Sequence, residues 1–154
     1  MNTLADLHHA VQSTLASKRL GTPVFVRYSF HGQETAAAVV QRLARATKTA
    51  CDWLGQVLDK VYATGSVKGG QVSLMLECRG GATAVVTWIR GAGRGHGVDI
   101  LLLGNNGALY HDFGNEPPWD ETLADSKDPA DKETLALIDR ALASGRPESA
   151  GGKP

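Results

Sequence analysis

The chain has 154 residues, and 42% of them are hydrophobic, which is enough for one globular domain with a substantial core. Its 16 basic residues balance 16 acidic ones, so charge gives no reason to expect binding to nucleic acid or to an anionic membrane. The two cysteines are too few for a disulfide framework, and neither a membrane-spanning run nor a secretory signal is present. We therefore expect a cytoplasmic domain in which Cys51 and Cys78 are buried free thiols.

The first part of the chain predicts two helices with a strand between them. Thr3 to Arg19 carries apolar residues at helical spacing and ends before Gly21. The segment PVFVRYSFH, which begins at Pro23, alternates between an apolar face and a mixed face and predicts a strand. Glu34 to Leu54 predicts a second helix with one apolar side, and Gly55 ends it.

Glycine-rich turns divide the middle of the chain into further strands. Val57 to Thr64 predicts one strand, and the stretch from Gly70 to Asp112 predicts four more. The turns within that stretch are Gly80-Gly81, Gly91–Gly97 and Asn105-Asn106-Gly107. Because turns this short cannot hold a parallel crossover, we expect successive strands to be antiparallel neighbours. With the strand described above, they make a sheet of about five or six strands.

Both faces of this predicted sheet are apolar. An antiparallel sheet with one face in water alternates between apolar and polar side chains. Here the set that includes Met75, Val85, Thr87 and Ile89 also contains Ser73, Glu77 and Thr83, but it is apolar enough to need a cover of its own. We therefore expect helices on one face and a partner on the other, and the sequence leaves open which set faces the helices.

The C-terminal part of the chain changes in character. A stretch rich in Pro, Asp and Glu, which includes Trp119, predicts an extended surface loop. Asp128 or Asp131 is then expected to cap a last amphipathic helix. In sum, we expect residues 1–146 to form a single α+β domain and residues 147–154 to form a disordered tail.

The sequence contains no complete motif for catalysis, metal binding or cofactor binding. In GAGRGHG the glycines are spaced by two and lead into a strand, whereas a dinucleotide loop opens a helix, so this segment predicts a flexible hairpin loop. The adjacent His8 and His9 cannot share a helix face, and no third metal ligand accompanies them. An enzyme of another class would have to use His31, His96 or His111 in a pocket that the sequence does not define. We therefore assign no catalytic or metal-binding residue.

Five segments, in order, resemble the C-terminal domain of the glucose–fructose oxidoreductase/inositol dehydrogenase (Gfo/Idh/MocA) family. They are LASKRLGTPVFVRYSFHG, DWLGQVLDKVYATG, LECRGGATAVVTW, VDILLLGNNGALYHD and LALIDRALASGRPE. The resemblance implies an open, mostly antiparallel sheet with helices on one face and a second subunit on the other. It also implies a preceding Rossmann domain that holds NAD(P) and a catalytic lysine, and we expect this chain to begin after that domain.

The resemblance also bears on catalysis. Family members often carry an Asp and a His, four residues apart, on the helix that corresponds to the second one predicted here. Alignment through Trp53-Leu54-Gly55 places Gln41 and Arg45 at those positions, and neither side chain is suited to proton transfer. The resemblance thus implies a non-catalytic relative without a cofactor, which forms a homodimer through its sheet and binds a small ligand near Arg27, His31, Gln41 and Arg45.

A split oxidoreductase is the alternative. In that case a separate Rossmann polypeptide would bind NAD(P) and supply the catalytic lysine. This chain would then supply the wall of the substrate site and the oligomer interface. Neither hypothesis involves a nucleic acid or a membrane as a partner.

Overall fold

The computed structural model describes residues 4–91, 97–112 and 131–151. The elements within them are α1 (Leu4–Ala16), β1 (Pro23–Gly32), α2 (Ala36–Leu54), β2 (Leu58–Ser66), β3 (Gln71–Cys78), β4 (Thr83–Arg90), β5 (Val98–Gly104), β6 (Gly107–His111), α3 (Lys132–Ser144) and β7 (Glu148–Ser149). Most of the GAGRGHG segment, the predicted loop with Trp119 and the last three residues of the predicted tail lie outside the described residues. No described helix combines the length and the apolar character needed to cross a membrane.

The strands form one open, seven-stranded sheet in the order β6-β5-β1-β4-β3-β2-β7. Neighbouring strands are antiparallel except β1 and β4, which are parallel. The α+β class and the mostly antiparallel sheet are therefore confirmed. The predicted count of five or six strands is too small, because the short β7 adds a strand beside β2.

The first strand of the chain lies in the middle of the sheet. Tyr28 of β1 is opposite Val86 of β4 on one side and opposite Ile100 of β5 on the other. The expectation that β4 and β5 are antiparallel neighbours is therefore wrong, and the segment between them does not close a hairpin. At the two ends of that segment, the Gly91 N–H and the Gly97 carbonyl both bond to the end of β1. The segment is long enough to span the roughly 10 Å between strands two places apart.

The predicted disordered tail begins with ordered residues. Glu148 and Ser149 pair with β2, and the Ala150 N–H donates to the Asp59 carbonyl at 2.7 Å. The Glu148 carboxylate also lies 4.0 Å from the Arg140 guanidinium on α3. Composition predicted disorder because these residues are small or charged, but their order comes from backbone hydrogen bonds to an edge strand.

The helices cover one face of the sheet, and the hydrophobic core lies between the helices and that face. The buried strand residues on that face are Val26, Tyr28, Phe30, Val61, Ala63, Val72, Leu74, Leu76, Cys78, Ala84, Val86, Trp88, Val98, Ile100 and Leu102. Because successive strand residues point to opposite faces, the other alternating set faces away from the helices. The set that includes Met75, Val85, Thr87 and Ile89, which the sequence could not assign to a face, therefore lies on the face away from the helices.

A partly buried ion pair anchors α2 to the centre of the sheet. The Glu34 carboxylate pairs with the Arg42 guanidinium and accepts a hydrogen bond from Nε1 of Trp88 at 3.1 Å. The Arg42 guanidinium also lies over the Phe30 ring, 4.4 Å from its centroid. Thr35 caps the helix, and its side chain accepts a hydrogen bond from a backbone N–H of the first turn. These contacts connect the start of α2 to both β1 and β4.

We predict that Glu34→Ala lowers the free energy of unfolding by about 3 kcal/mol, because it removes the carboxylate that balances a partly buried guanidinium. Urea denaturation measures this. The matched control is Asp52→Ala, which removes an exposed ion pair with Lys48 (3.5 Å between the charged atoms) and should cost less than about 1 kcal/mol. Equal losses in the two variants would show that Glu34 does not anchor α2.

Candidate functional site

The sheet face opposite the helices carries a row of large side chains. Strand register places one residue from each of six strands in this row, namely Tyr62, Met75, Val85, Arg27, Leu101 and Tyr110. Met75 and Tyr110 are 53% and 59% exposed. Arg27 is the one charged member of the row. We call this surface the open face.

A polar row lies next to the apolar one on the open face. The Thr87 hydroxyl is 3.0 Å from the Ser73 hydroxyl, and the neighbouring positions on β1 and β5 are Ser29 and Asp99. The residues predicted to form an interface, Met75, Val85, Thr87 and Ile89, all belong to the open face. They share one surface, therefore, although Thr87 is itself buried beside Ser73.

The predicted ligand site is divided by the sheet. Arg27 and His31 are on the open face, where Nε2 of His31 lies 3.9 Å from the Asp99 carboxylate. Gln41 and Arg45 are on α2, which packs against the opposite face. The structure therefore does not bring these four residues together, because the β1 residues that face α2 are the ones that alternate with Arg27 and His31.

The histidines considered for an enzyme of another class are also separated. His31 is on the open face, whereas His111 on β6 is opposite Ile100, whose side chain is on the helix-covered face. His96 lies outside the described residues. The described part of the chain therefore offers no shared site for these histidines.

Sequence reasoning missed an aromatic cluster around His8. Nε2 of His8 is 3.0 Å from the Tyr28 hydroxyl, and its ring stands perpendicular to the Trp53 ring at 5.3 Å between centroids. Burial lowers the pKa of His8 to about 4. The sequence did contain a signal that His8 is partly buried. This residue comes directly after Leu7 and three residues before Val11, so it borders the apolar stripe that α1 buries.

We predict that His8 weakens the fold in mild acid. Its pKa of about 4 in the folded state is below the ordinary 6.5, so the unfolded chain binds more protons between these values. The free energy of unfolding should fall as the pH falls through this window, by up to about 3 kcal/mol. Urea titrations at neutral pH and near pH 4.5 measure the loss.

His8→Gln should shrink the loss of stability in acid, because it removes the group that gains a proton on unfolding. His9→Gln changes the exposed neighbour on the same helix and should retain the loss. If His8→Gln and His9→Gln lose stability equally between the two pH values, burial of His8 is not the cause.

A cleft of about 860 Å³ lies on the helix-covered side of the molecule, between α2, the start of β2, the β3–β4 turn and α3. Thr47, Cys51, Leu58 and Leu137 are among the residues that line it. Its charged lining residues are Lys48, Asp52, Arg79, Asp131, Glu133 and Arg140. No residue assigned to ligand binding from the sequence contributes to this cleft.

Both cysteines are free, as predicted. Burial, together with its contact to Cys78, raises the pKa of the Cys51 thiol to about 12, and burial also raises the pKa of the Cys78 thiol. Cys51 nevertheless lines the cleft. Both side chains therefore stay as neutral thiols at physiological pH.

We predict that iodoacetamide at pH 8 alkylates both thiols of the native protein at least about a hundredfold more slowly than free cysteine, because the thiolate is the reactive form. Mass spectrometry of quenched samples measures the rate at each cysteine. Fast alkylation in urea serves as the control. A native Cys51 that reacts as fast as free cysteine would contradict this account of its environment.

The described residues show no fit to a metal or to a dinucleotide. No three His, Cys, Asp or Glu side chains within them are close enough to hold a metal ion. The N-terminus of α2 follows a strand and a glycine, but the Glu34 carboxylate occupies the space beside Gly32 where a pyrophosphate would have to lie. A carboxylate there would repel a phosphate, so we derive no step that involves NAD(P).

Comparison with solved structures identifies the fold. The myo-inositol dehydrogenase from Lactobacillus casei, in complex with NAD(H) and myo-inositol, matches 96% of this chain with a TM-score of 0.73 at 14% identity. The scyllo-inositol dehydrogenase from the same organism matches 94% with a TM-score of 0.68 at 12% identity. GenD2 from gentamicin A biosynthesis, in complex with NAD, matches 92% with a TM-score of 0.69 at 18% identity.

This chain corresponds to only part of those proteins. It covers 60% of the myo-inositol dehydrogenase, 62% of the scyllo-inositol dehydrogenase and 60% of GenD2. No protein-family model and no curated protein sequence matches it. The chain has the fold of the C-terminal domain of the glucose–fructose oxidoreductase/inositol dehydrogenase enzymes, as the sequence resemblance implied.

Proposed function

We propose that this chain is a non-catalytic oxidoreductase-like domain that forms a homodimer through its open face. The observation that carries the proposal is the row of large side chains across six strands. Two of these side chains, Met75 and Tyr110, are more than half exposed. The described helices pack on the opposite face and leave this row to a partner. Contiguous exposed apolar surface of this kind is typical of protein–protein interfaces.

Charge favours a second copy of the chain as that partner. Arg27 sits within the apolar row and forms no ion pair inside the described residues, so burying it requires a carboxylate from elsewhere. In a two-fold interface each surface meets itself, and the open face also carries Glu77 and Asp99. A second copy therefore brings both the apolar side chains and the carboxylates that this surface needs.

The absence of catalysis is supported by the residues on α2. Gln41 and Arg45 stand where the related enzymes often have an Asp and a His, and neither side chain is suited to act as a general base at neutral pH. We do not propose that the chain binds a ligand near Arg27, His31, Gln41 and Arg45, because the sheet separates the first two residues from the last two.

We predict that the wild-type chain has the mass of a dimer at micromolar concentration and that Met75→Glu shifts it to the mass of a monomer. Met75 is exposed, so the substitution should spare the fold while placing a charge in the apolar row. Light scattering coupled to size exclusion measures the mass, and circular dichroism checks folding.

The control for this prediction is Ala37→Glu. It adds the same charge at an exposed position in the first turn of α2, on the helix-covered side, and should leave the dimer intact. A monomeric wild-type chain, or a Met75→Glu variant that stays dimeric, would contradict self-association through the open face.

A subunit of a split NAD(P)-dependent sugar or polyol oxidoreductase is the second candidate. It is favoured by the match to about three fifths of proteins whose structures contain NAD(H) or NAD. In this case the native chain should co-purify with a separate nucleotide-binding polypeptide, and mixing the two should yield NAD(P)-dependent activity. Recovery of the chain as a homodimer alone would favour the first proposal.

A further inference from the structure

The cleft between α2 and α3 contains a buried polar group without a partner. Thr47 is 1% exposed, and its hydroxyl oxygen makes no hydrogen bond within the described ranges, although Thr47 lines the cleft. Leaving a buried hydroxyl unsatisfied costs free energy, so such a group at the wall of a cavity indicates a position where a ligand can bond. A hydroxyl can donate and accept, which suits a ligand hydroxyl or carbonyl.

Most charges around the cleft are already balanced. Nζ of Lys48 lies 3.5 Å from the Asp52 carboxylate. The Arg140 guanidinium lies 4.0 Å from the Glu148 carboxylate. The Asp131 carboxylate caps α3 by accepting hydrogen bonds from the N–H and hydroxyl of Thr134, at 3.2 and 2.9 Å. None of these groups needs a ligand of either charge.

Arg79 is a charged lining residue without a side-chain partner in the described ranges. Its guanidinium forms no ion pair or hydrogen bond with any other described residue, and its backbone N–H donates to the Val57 carbonyl at 2.9 Å, which fixes Arg79 at the cleft. Glu133 also has no side-chain partner among the described residues, but its place in the first turn of α3 is favoured by the helix dipole. Arg79 is exposed, so it does not require a ligand, but its guanidinium, which those residues leave unpaired, is available to bind a carboxylate at the cleft.

Part of the cleft lining is aliphatic. Val57, Leu58, Leu137 and Ala150 line the cleft, and no aromatic side chain is among its described lining residues. The volume of about 860 Å³ is within the range of small-molecule sites. A flexible aliphatic body fits these walls better than a planar aromatic one, which gains most from stacking on other rings.

We propose that this cleft binds a small aliphatic hydroxycarboxylate, with its carboxylate on the Arg79 guanidinium, its hydroxyl on the Thr47 hydroxyl and its methylene groups against Leu58 and Leu137. The site is on the helix-covered side of the sheet. Its occupancy is therefore independent of the interface proposed for the open face.

The test uses three probes of equal length that differ only at one end. They are 6-hydroxyhexanoate, the neutral 1,6-hexanediol and the cationic 6-amino-1-hexanol. Titration of the isotopically labelled full chain, followed by NMR, gives the affinity and the residues that respond. We expect saturable binding of 6-hydroxyhexanoate, with shifts at Thr47 and Arg79, and binding of the other two that is at least about tenfold weaker.

Two variants assign the contacts. Arg79→Gln should reduce the affinity for 6-hydroxyhexanoate to the wild-type affinity for 1,6-hexanediol. Thr47→Val, which keeps the shape of the side chain, should reduce the affinity for 6-hydroxyhexanoate by at least about tenfold. Lys68→Gln removes an exposed cation outside the cleft lining and should leave the affinity unchanged. The proposal is overturned if no probe binds saturably, if charge does not affect binding, or if Arg79→Gln and Thr47→Val bind like the wild type.

Discussion

The pairing of β1 on both sides is the constraint on which the rest of the structure depends. β1 is parallel to β4 and antiparallel to β5, so the first strand of the chain becomes the middle of the sheet. Its alternating side chains then divide the molecule. Val26, Tyr28 and Phe30 enter the core, while Arg27 and His31 face away from it. This division separates the ligand site expected from the sequence and creates an open face with a cation at its centre.

The two faces satisfy their charges in different ways. On the helix-covered side, Glu34 and Arg42 form an ion pair, and Nε1 of Trp88 donates a hydrogen bond to the Glu34 carboxylate. These contacts within the chain anchor α2 to the sheet. On the open face, Arg27 stands among apolar side chains with no such partner in the described residues. At the cleft, Arg79 likewise has no ion-pair partner in the described residues, and the hydroxyl of Thr47, another lining residue, makes no hydrogen bond within them. Unbalanced cations therefore mark both surfaces for which we propose partners.

Local patterns predicted most elements, and long-range pairing set the rest. Helical spacing identified α1 and α2, and glycine turns identified β3, β4, β5 and β6, because these signals act between residues close in sequence. The insertion of β1 between β4 and β5 has no local signal, since it depends on contacts between distant segments. The same holds for β7, for the contact of His8 with Tyr28, and for the cleft, whose residues come from separate parts of the chain.

The central claim is that a second copy covers the open face, and isotope-filtered NMR on a mixture of labelled and unlabelled chains tests it most directly. The account predicts intermolecular NOEs from the Met75 methyl group and the Tyr62 and Tyr110 rings to other side chains of the open face. Intermolecular NOEs confined to the helix-covered side, or none at a concentration where the chain is fully folded, would contradict the account.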